Sequence, residues 1–285
     1  MGTVDSGRGV VRWPFRGRAW RRWGFAAGAL LVLIAWTGCV SPERRFAARA
    51  AEMGLQADLV QGTVFHHVVF RQRGQRPSSV LHVYIDGDGT PWLHGRPASD
   101  PTPRNALVLA LMALDPNPAI YLGRPCYHGL SETPPCSSAL WTRERYSEAV
   151  VSSMAAALRR ILATEDFHHV AWFGHSGGGT LAVLLAPRFP QTASVVTVAA
   201  NLDIDAWADL HGYDRLPGSL NPATQPPLPP SIRQHHYVGS NDRVVPKEVV
   251  ERGPIDPDAL IVLPTYDHTC CWAAIWPAVL DDIQR

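Results

Sequence analysis

The stretch His169-Val-Ala-Trp-Phe-Gly-His-Ser-Gly-Gly178 indicates the fold most directly. A short apolar run leads into Gly174-His-Ser-Gly-Gly178, and an apolar helix pattern follows at once. In a strand, turn and helix of this kind the backbone at the serine is strained, so that its hydroxyl projects, and the glycines leave room for neighbouring elements. The sequence therefore predicts a reactive serine, Ser176, at a sharp turn. A plain glycine-rich turn is the alternative.

On both sides of this turn, short apolar runs alternate with longer amphipathic ones. The predicted strands are 64–70, 80–85, 119–122, 169–173, 194–199, 235–239 and 259–263, and the predicted helices are 105–114, 143–163, 176–186, 246–251 and 271–283. This alternation predicts an α/β fold with a mostly parallel central sheet and helices on both faces. No linker divides residues 59–285, which we expect to form one domain. The Pro- and Gly-rich stretch 205–230 breaks the alternation, and we expect it to loop over the sheet as a small cap.

Composition limits the functions that this chain can have. It has 285 residues, of which 46% are hydrophobic and 18% charged, enough for a sizeable core. A net charge of +1 excludes a strongly cationic nucleic-acid binder. Sequence motifs for phosphate loops, dinucleotide binding and His-Glu-x-x-His zinc sites are not found, and the cysteine spacing fits no zinc motif. We therefore predict no cofactor, no metal ion and no nucleic-acid partner.

The N-terminal region has the composition of an export signal. Residues 1–38 contain six arginines and one acidic residue, so the remainder of the chain carries a net charge of about −4. The uncharged run 24–36 is 13 residues long, and at about 1.5 Å per residue it is too short for a hydrocarbon core of about 30 Å. That length suits a secretory signal.

The end of this run, Trp36-Thr-Gly-Cys39, resembles a bacterial lipobox, although Trp36 stands where the pattern prefers Leu. The resemblance implies that residues 1–38 are a lipoprotein-type signal peptide and that Cys39 becomes a lipidated N-terminus. Residues 39–58 would then be a tether or short helix. The predicted location is on a membrane, facing the periplasm or cell exterior. An uncleaved anchor and an ordinary signal peptide are the alternatives.

Four further cysteines fit an exported protein, because disulfides persist in oxidising compartments. Cys126 and Cys136 flank a loop containing Pro and Gly, and we predict a disulfide between them. Cys270 and Cys271 are adjacent. Their Cα atoms must lie about 3.8 Å apart, below the usual disulfide range of about 4.4–6.8 Å. A bridge between these neighbours would be strained, so two free thiols, or crosswise pairing with the loop, are left open.

With its Gly-x-Ser-x-Gly turn between a strand and a helix, the chain resembles the α/β-hydrolase family over residues 60–285. That family orders its catalytic residues as nucleophile, acid and base. The resemblance implies an acid at Asp242, in Gly239-Ser-Asn-Asp-Arg-Val-Val-Pro246 after a predicted strand. A helix-capping role for Asp242 is the alternative, and Asp203 and Asp205 are rival acids.

The same order places the base at His268, in Pro264-Thr-Tyr-Asp-His-Thr, between the last predicted strand and the last predicted helix. Asp267 is poorly placed to orient it, because it is the neighbour of His268 in sequence. His175, before the serine, occupies a variable position of the motif, for which we expect a structural role.

The resemblance also implies an oxyanion hole. One donor is the backbone N–H of Gly177, and the other is the backbone N–H of Asp88, in the loop Asp86-Gly-Asp-Gly89. Because a carboxylate beside an oxyanion is repulsive, we expect the Asp88 side chain to point away and to pair with an arginine, for which Arg124 is a candidate. A tight turn without a catalytic role is the alternative.

Trp92, Trp141, Trp207 and Trp272 lie in or near loops of the predicted catalytic edge, where they either shape an apolar pocket or pack in the core. The sequence as a whole predicts an exported, membrane-anchored serine hydrolase. It would cleave an ester, thioester or amide of a small or lipid-like acyl compound through Ser176, Asp242 and His268. The alternatives are an acyltransferase with the same triad and a non-catalytic surface lipoprotein.

Overall fold

A central sheet of eight strands organises the computed structural model, which describes Gly2, residues 40–72 and residues 76–283. The predicted signal peptide and the lipidation site Cys39 lie outside these residues. Within them, no helix combines the length and the apolar character needed to cross a membrane.

The strands are β1 (Gln56–Gln61), β2 (His66–Arg71), β3 (Val80–Ile85), β4 (Trp92–Leu93), β5 (Arg96–Pro97), β6 (Ala119–Leu122), β7 (His169–His175), β8 (Thr192–Val198), β9 (Arg233–Gly239) and β10 (Leu260–Leu263). The helices are α1 (Pro42–Glu52), α2 (Leu107–Ala113), α3 (Glu148–Leu162), α4 (Gly177–Leu185), α5 (Ile204–His211), α6 (Lys247–Val250) and α7 (Trp272–Asp282).

The order of strands across the sheet is β1-β2-β6-β3-β7-β8-β9-β10. From β6 to β10 all neighbours are parallel, whereas β1 and β2, and β2 and β6, are antiparallel. Strands β4 and β5 form a separate antiparallel ribbon. The predicted mostly parallel sheet is therefore confirmed, and the parallel strands direct their carboxyl ends to one edge, where ligands bind in such sheets.

Two apolar layers cover the two faces of the sheet. On β7, Trp172 packs in the layer that includes α3 and α4, while Phe173 packs in the layer that includes α1, α2 and α7. Successive side chains of a strand point to opposite faces, so a strand that is buried on both faces must be apolar throughout. This explains why β3 and β7 were recognisable in the sequence as continuous apolar runs.

Strand β1 was missed by the sequence analysis. Its sequence, Gln-Ala-Asp-Leu-Val-Gln, is mostly exposed, because β1 lies at the edge of the sheet and pairs only with β2. An edge strand of this kind leaves no burial pattern in the sequence.

The stretch predicted as a tether or short helix folds as α1 and packs on the domain. Phe46 and Ala50 are buried, and the ring of Phe46 lies 5.6 Å from that of Tyr121 and 4.8 Å from that of His128. Pro42 opens the helix at a position where the missing N–H costs nothing. This helix is therefore part of the compact unit Ser41–Arg285.

The stretch 205–230 is only partly a loop, because α5 occupies its first residues. Asp203 caps this helix by accepting the N–H of Ala206 at 3.1 Å, and Gly212 ends it with a φ of 66°. Beyond α5 the chain is fastened to the domain by the bond from the Leu220 N–H to the Tyr146 carbonyl at 3.0 Å.

Both cysteine pairs are bridged. Cys126 and Cys136 form the predicted disulfide, with their Cα atoms 5.6 Å apart. Cys270 and Cys271, whose pairing the sequence left open, are bonded to each other. Cys126 is fully buried in the same apolar layer as α3, so its bridge fastens the 126–136 loop to the core.

We expect the double substitution Cys126→Ser, Cys136→Ser to lower the free energy of unfolding by about 2–3 kcal/mol, because the bridge closes a loop with a sequence separation of 10 residues. Urea unfolding of both proteins under oxidising conditions measures the difference. Equal midpoints and slopes would show that the bridge does not restrain the unfolded chain.

Candidate active site

Ser176 occupies the sharp turn between β7 and α4. Its backbone has φ 52° and ψ −125°, a conformation that residues other than glycine rarely adopt. A Cβ on Gly174 would lie 2.4 Å from the Gly178 carbonyl oxygen, and a Cβ on Gly178 would lie 2.1 Å from that of Ile85. Both motif glycines are therefore required by close backbone approach, as the sequence predicted.

A continuous chain of hydrogen bonds joins the three predicted catalytic residues. The Ser176 Oγ lies 3.1 Å from the His268 Nε2, and the His268 Nδ1 lies 2.9 Å from the Asp242 Oδ2. An ionised Asp242 can only accept, so Nδ1 carries the proton and Nε2 is left to accept from the serine hydroxyl. The structure thus brings together residues that follow β7, β9 and β10.

Asp242 uses its two oxygens for two tasks. Oδ1 accepts the N–H groups of Val244 and Val245, both at 2.8 Å, and Oδ2 faces His268. Asp242 thus stabilises the turn before α6. It does not cap the helix, the alternative considered in the sequence analysis, because the N-cap of α6 is Pro246. The Asp242 side chain is fully buried, so its orientation is fixed on all sides.

The rival carboxylates serve local structure. Asp203 caps α5 and accepts the Asn221 amide at 2.9 Å, while Asp205 accepts the same amide at 3.3 Å. Asp267 accepts the N–H groups of Thr269 and Cys270, at 2.8 and 2.6 Å. Within the part of the chain that the structure describes, no three His, Cys, Asp or Glu side chains are grouped as a metal site requires.

Two neighbours hold the backbone of His268. The His175 Nε2 donates to the His268 carbonyl oxygen at 2.8 Å, and the Trp272 indole donates to the same oxygen at 3.3 Å. Burial, with the nearby His268 adding to it, lowers the pKa of His175 to about 4, so its ring is neutral at pH 7. The structural role expected for His175 is therefore to hold the backbone of His268, which the motif alone could not show.

The predicted oxyanion loop lies against the serine. A Cβ on Gly87 would lie 3.2 Å from the Ser176 Cβ, and a Cβ on Gly177 would lie 2.2 Å from the Asp88 Oδ1. Gly87 therefore lies against Ser176, and the Asp88 carboxylate, which the sequence analysis expected to point away, lies against Gly177. Gly177 is also the first residue of α4, where backbone N–H groups have no partner within the helix.

The Asp88 carboxylate is held by a buried cluster of charges and a phenol. It accepts from the Arg124 Nη1 at 2.5 Å, from the Arg145 Nη1 at 2.8 Å and from the Tyr146 hydroxyl at 2.7 Å. Burial favours the neutral acid, but the charges of Arg145 and Arg124 and these hydrogen bonds hold the pKa of Asp88 well below its usual range. The structure places Arg124 as the sequence suggested. Arg145 and Tyr146 were missed, because no short-range pattern links them to Asp88.

Asp86, two residues earlier, is buried in a different setting. Its Oδ1 accepts the Gly87 N–H at 2.8 Å. Burial raises the pKa of Asp86 to about 7, although this hydrogen bond and the charge of Arg124 act in the opposite direction.

The four tryptophans do not share one environment. Trp141 and Trp272 are buried in the core, the Trp207 indole donates to the Val244 carbonyl at 2.8 Å, and Trp92 is 51% exposed on β4. Core packing, the alternative in the sequence analysis, therefore accounts for Trp141 and Trp272.

We expect Asp88→Asn to lower the free energy of unfolding by about 3 kcal/mol, because two buried arginines lose their counter-charge. Urea unfolding of the variant and the wild type measures this difference in the free energy of unfolding. Glu144→Gln is the matched control, since its partner Arg143 is 66% exposed, and it should cost less than about 1 kcal/mol. Equal costs for the two variants would contradict a stabilising role of the buried cluster.

Asp86 should make the stability depend on pH. Its pKa is about 7 in the folded protein and about 4 in an unfolded chain, so its stabilising contribution is complete below pH 4 and is lost as the pH rises through 7. Asp86→Asn cannot titrate. Between pH 5 and pH 8 the free energy of unfolding of the wild type should therefore fall by about 1–3 kcal/mol relative to this variant. Urea titrations at both pH values measure the difference, and a difference that is constant with pH would rule the effect out.

Comparison with known proteins agrees with this geometry. Residues 121–252 match the family model described as the alpha/beta hydrolase fold. A search of curated proteins gave no match.

Several solved structures share the fold. A bacterial membrane phospholipase A is 16% identical, with 93% of this chain and 99% of that chain covered and a TM-score of 0.55. An esterase/lipase from an uncultured bacterium is 14% identical, with coverages of 87% and 92% and a TM-score of 0.52. A puromycin-hydrolysing peptidase from Mycobacterium tuberculosis is 14% identical, with coverages of 80% and 38% and a TM-score of 0.54. Together with the strand order and the serine turn, these matches show that the chain has the α/β-hydrolase fold.

Proposed function

We propose that this protein is an exported, membrane-anchored serine hydrolase that cleaves a carboxylic ester, thioester or amide through an acyl-enzyme. The observation that carries the proposal is the continuous hydrogen-bonded chain from the Ser176 hydroxyl through His268 to Asp242, at a turn that presents the serine. Turns and core packing do not require these three groups to be in line.

In the first half of the reaction, the Ser176 Oγ attacks the carbonyl carbon of the substrate and His268 Nε2 takes the hydroxyl proton. The carbonyl electron pair moves to its oxygen, which gives a tetrahedral oxyanion. His268 becomes a cation, which the buried Asp242 stabilises across 2.9 Å. When the oxyanion collapses, His268 returns the proton to the leaving group and the acyl group stays on Ser176. Water then repeats the steps and releases the acid.

The backbone N–H groups of Gly177 and Asp88 would stabilise the oxyanion. The negative side chain of Asp88 does not prevent this stabilisation, because it forms ion pairs with Arg124 and Arg145. The charge of the Asp88 carboxylate is therefore compensated within the cluster.

The solved structures of similar fold support an acyl substrate. They include a membrane phospholipase A, an esterase/lipase and a puromycin-hydrolysing peptidase. Export and anchoring rest on the arginine-rich leader, the short apolar run and Cys39 in the sequence. A substrate in or near a membrane fits both lines of support.

We expect a fluorophosphonate probe to label Ser176 in a protein that begins at Val40, with the adduct mapped by mass spectrometry. Ser176→Ala should abolish the labelling, and His268→Ala should slow it by about 10³-fold or more, because the serine loses its base. Asp267→Asn is the matched control: it changes the carboxylate next to His268 that bonds only the turn, and labelling should stay near that of the wild type. An unlabelled but folded wild-type protein would overturn the proposal.

A further inference from the structure

We propose that the face formed by α1 and the β4–β5 ribbon binds an anionic phospholipid bilayer directly. This inference rests on the membrane location in the proposed function, but it assigns a second, non-covalent membrane contact to the folded domain. The exposed Trp92 and Leu93 of the ribbon enter the headgroup region, and a groove lined by arginines next to the ribbon receives lipid phosphates.

The ribbon carries its apolar residues outward. Trp92 is 51% exposed and Leu93 is 48% exposed. The turn between the strands has positive φ at both central residues, 51° at His94 and 73° at Gly95, the backbone of a tight two-residue hairpin. As consecutive strand residues, Trp92 and Leu93 project from opposite faces of the ribbon. Exposed apolar side chains of this size are unfavourable in water, and tryptophan is enriched where membrane meets water.

The ribbon is an ordered projection. At its base, the Ala98 N–H donates to the Pro91 carbonyl and the Thr90 N–H donates to the Pro101 carbonyl, both at 2.9 Å. The hairpin therefore presents Trp92 and Leu93 on a fixed stem, which reduces the entropy lost on insertion.

A groove of about 290 Å³ lies between α1 and residues 103–106, and no carboxylate is among the residues that line it. Its lining includes Arg45, Arg49 and Arg104, together with the apolar Phe46, and Arg49 also forms an exposed ion pair with Glu52 at 2.7 Å. Arg104 Nε also donates to the Thr90 hydroxyl at 3.3 Å, which joins the groove to the base of the ribbon. Guanidinium groups bind phosphates with paired hydrogen bonds, so the groove is suited to a lipid headgroup.

The path of the chain identifies a bilayer as the occupant. Helix α1 begins at Pro42, three residues after Cys39, a span of at most about 11 Å in extended chain. A lipid on Cys39 would therefore hold the start of α1 near the headgroups.

The same face is continuous with the catalytic edge. The loop that carries Asp88 leads directly into β4, and it meets the outgoing chain closely, since a Cβ on Gly89 would lie 2.1 Å from the Pro101 carbonyl oxygen. Insertion of the ribbon would bring Ser176 close to the bilayer surface. The inference thereby narrows the proposed substrates to acyl lipids that the membrane presents.

The test uses the protein that begins at Val40, which lacks Cys39 and therefore any lipid anchor. The unit Ser41–Arg285 contains both apolar layers of the sheet, so it is expected to fold by itself. Co-sedimentation is measured with vesicles of phosphatidylcholine alone and with vesicles that contain about a third phosphatidylglycerol, at low and high salt. The wild type should bind the anionic vesicles at least tenfold more strongly, and high salt should weaken this binding.

Substitutions should separate the two parts of the surface. Leu93→Asp and Trp92→Ala should each reduce binding to anionic vesicles about tenfold. Arg104→Gln should reduce it about fivefold, as expected for one basic residue near an anionic surface. Leu114→Ala and Arg76→Gln are matched controls. Leu114 is 48% exposed, as Leu93 is, but it follows α2 at the opposite edge of the sheet, and Arg76 precedes β3 at that edge. Both controls should bind as the wild type does.

Three outcomes would overturn the inference: no binding of the wild type to anionic vesicles, equal binding of Leu93→Asp and Leu114→Ala, or a dimer that Leu93→Asp dissociates in place of vesicle binding. The last result would make a second copy of the chain the occupant. Fluorophosphonate labelling of the wild type without vesicles separates this inference from the proposed function. Labelling without vesicle binding would support the proposed hydrolase and contradict the membrane-binding surface. Vesicle binding without labelling would support the surface and contradict the hydrolase.

Discussion

The turn at Ser176 is the constraint on which the rest of the site depends. The serine adopts a left-handed backbone conformation, and the backbone of β3 approaches Gly178 so closely that no side chain fits between them. This contact fixes the start of α4 against the sheet. The same contact brings the loop after β3 beside the serine, because Gly178 abuts the last residue of that strand, Ile85.

The carboxyl edge of the sheet contains buried charges that stabilise one another. Asp88 can lie beside the first turn of α4 as an anion because Arg124, Arg145 and Tyr146 converge on it. Those two arginines are themselves almost fully buried, so they need the carboxylate as much as it needs them. The cluster joins the loop after β3, the loop after β6 and the segment that precedes α3. It therefore couples the local shape of the oxyanion loop to the packing of three separate parts of the chain.

His268, the proposed base, is positioned by its backbone as well as by its ring. His268 lies in a loop, yet its carbonyl receives hydrogen bonds from His175 and Trp272, and its ring is fixed by Asp242. A disulfide between Cys270 and Cys271 follows two residues later, at the start of α7. Loops tend to be mobile. The contacts on both sides of His268 explain how a loop residue can keep its Nε2 3.1 Å from the Ser176 Oγ.

The sequence by itself determined the parallel sheet and the serine turn, and its resemblance to the α/β-hydrolase family indicated Asp242 and His268 as the partners of the serine. Doubly buried strands must be continuous apolar runs, and the turn at the serine needs glycines at set positions. It also identified the Cys126–Cys136 bridge. Only the tertiary structure showed β1, the packing of α1, the bonding of Asp88 to Arg145 and Tyr146, and the contact of His175 with His268. Edge strands carry no burial pattern, and charges or rings that meet across 50 or more residues leave no periodic trace in the sequence. Their pairing is decided only when the sheet brings the loops at its carboxyl edge together.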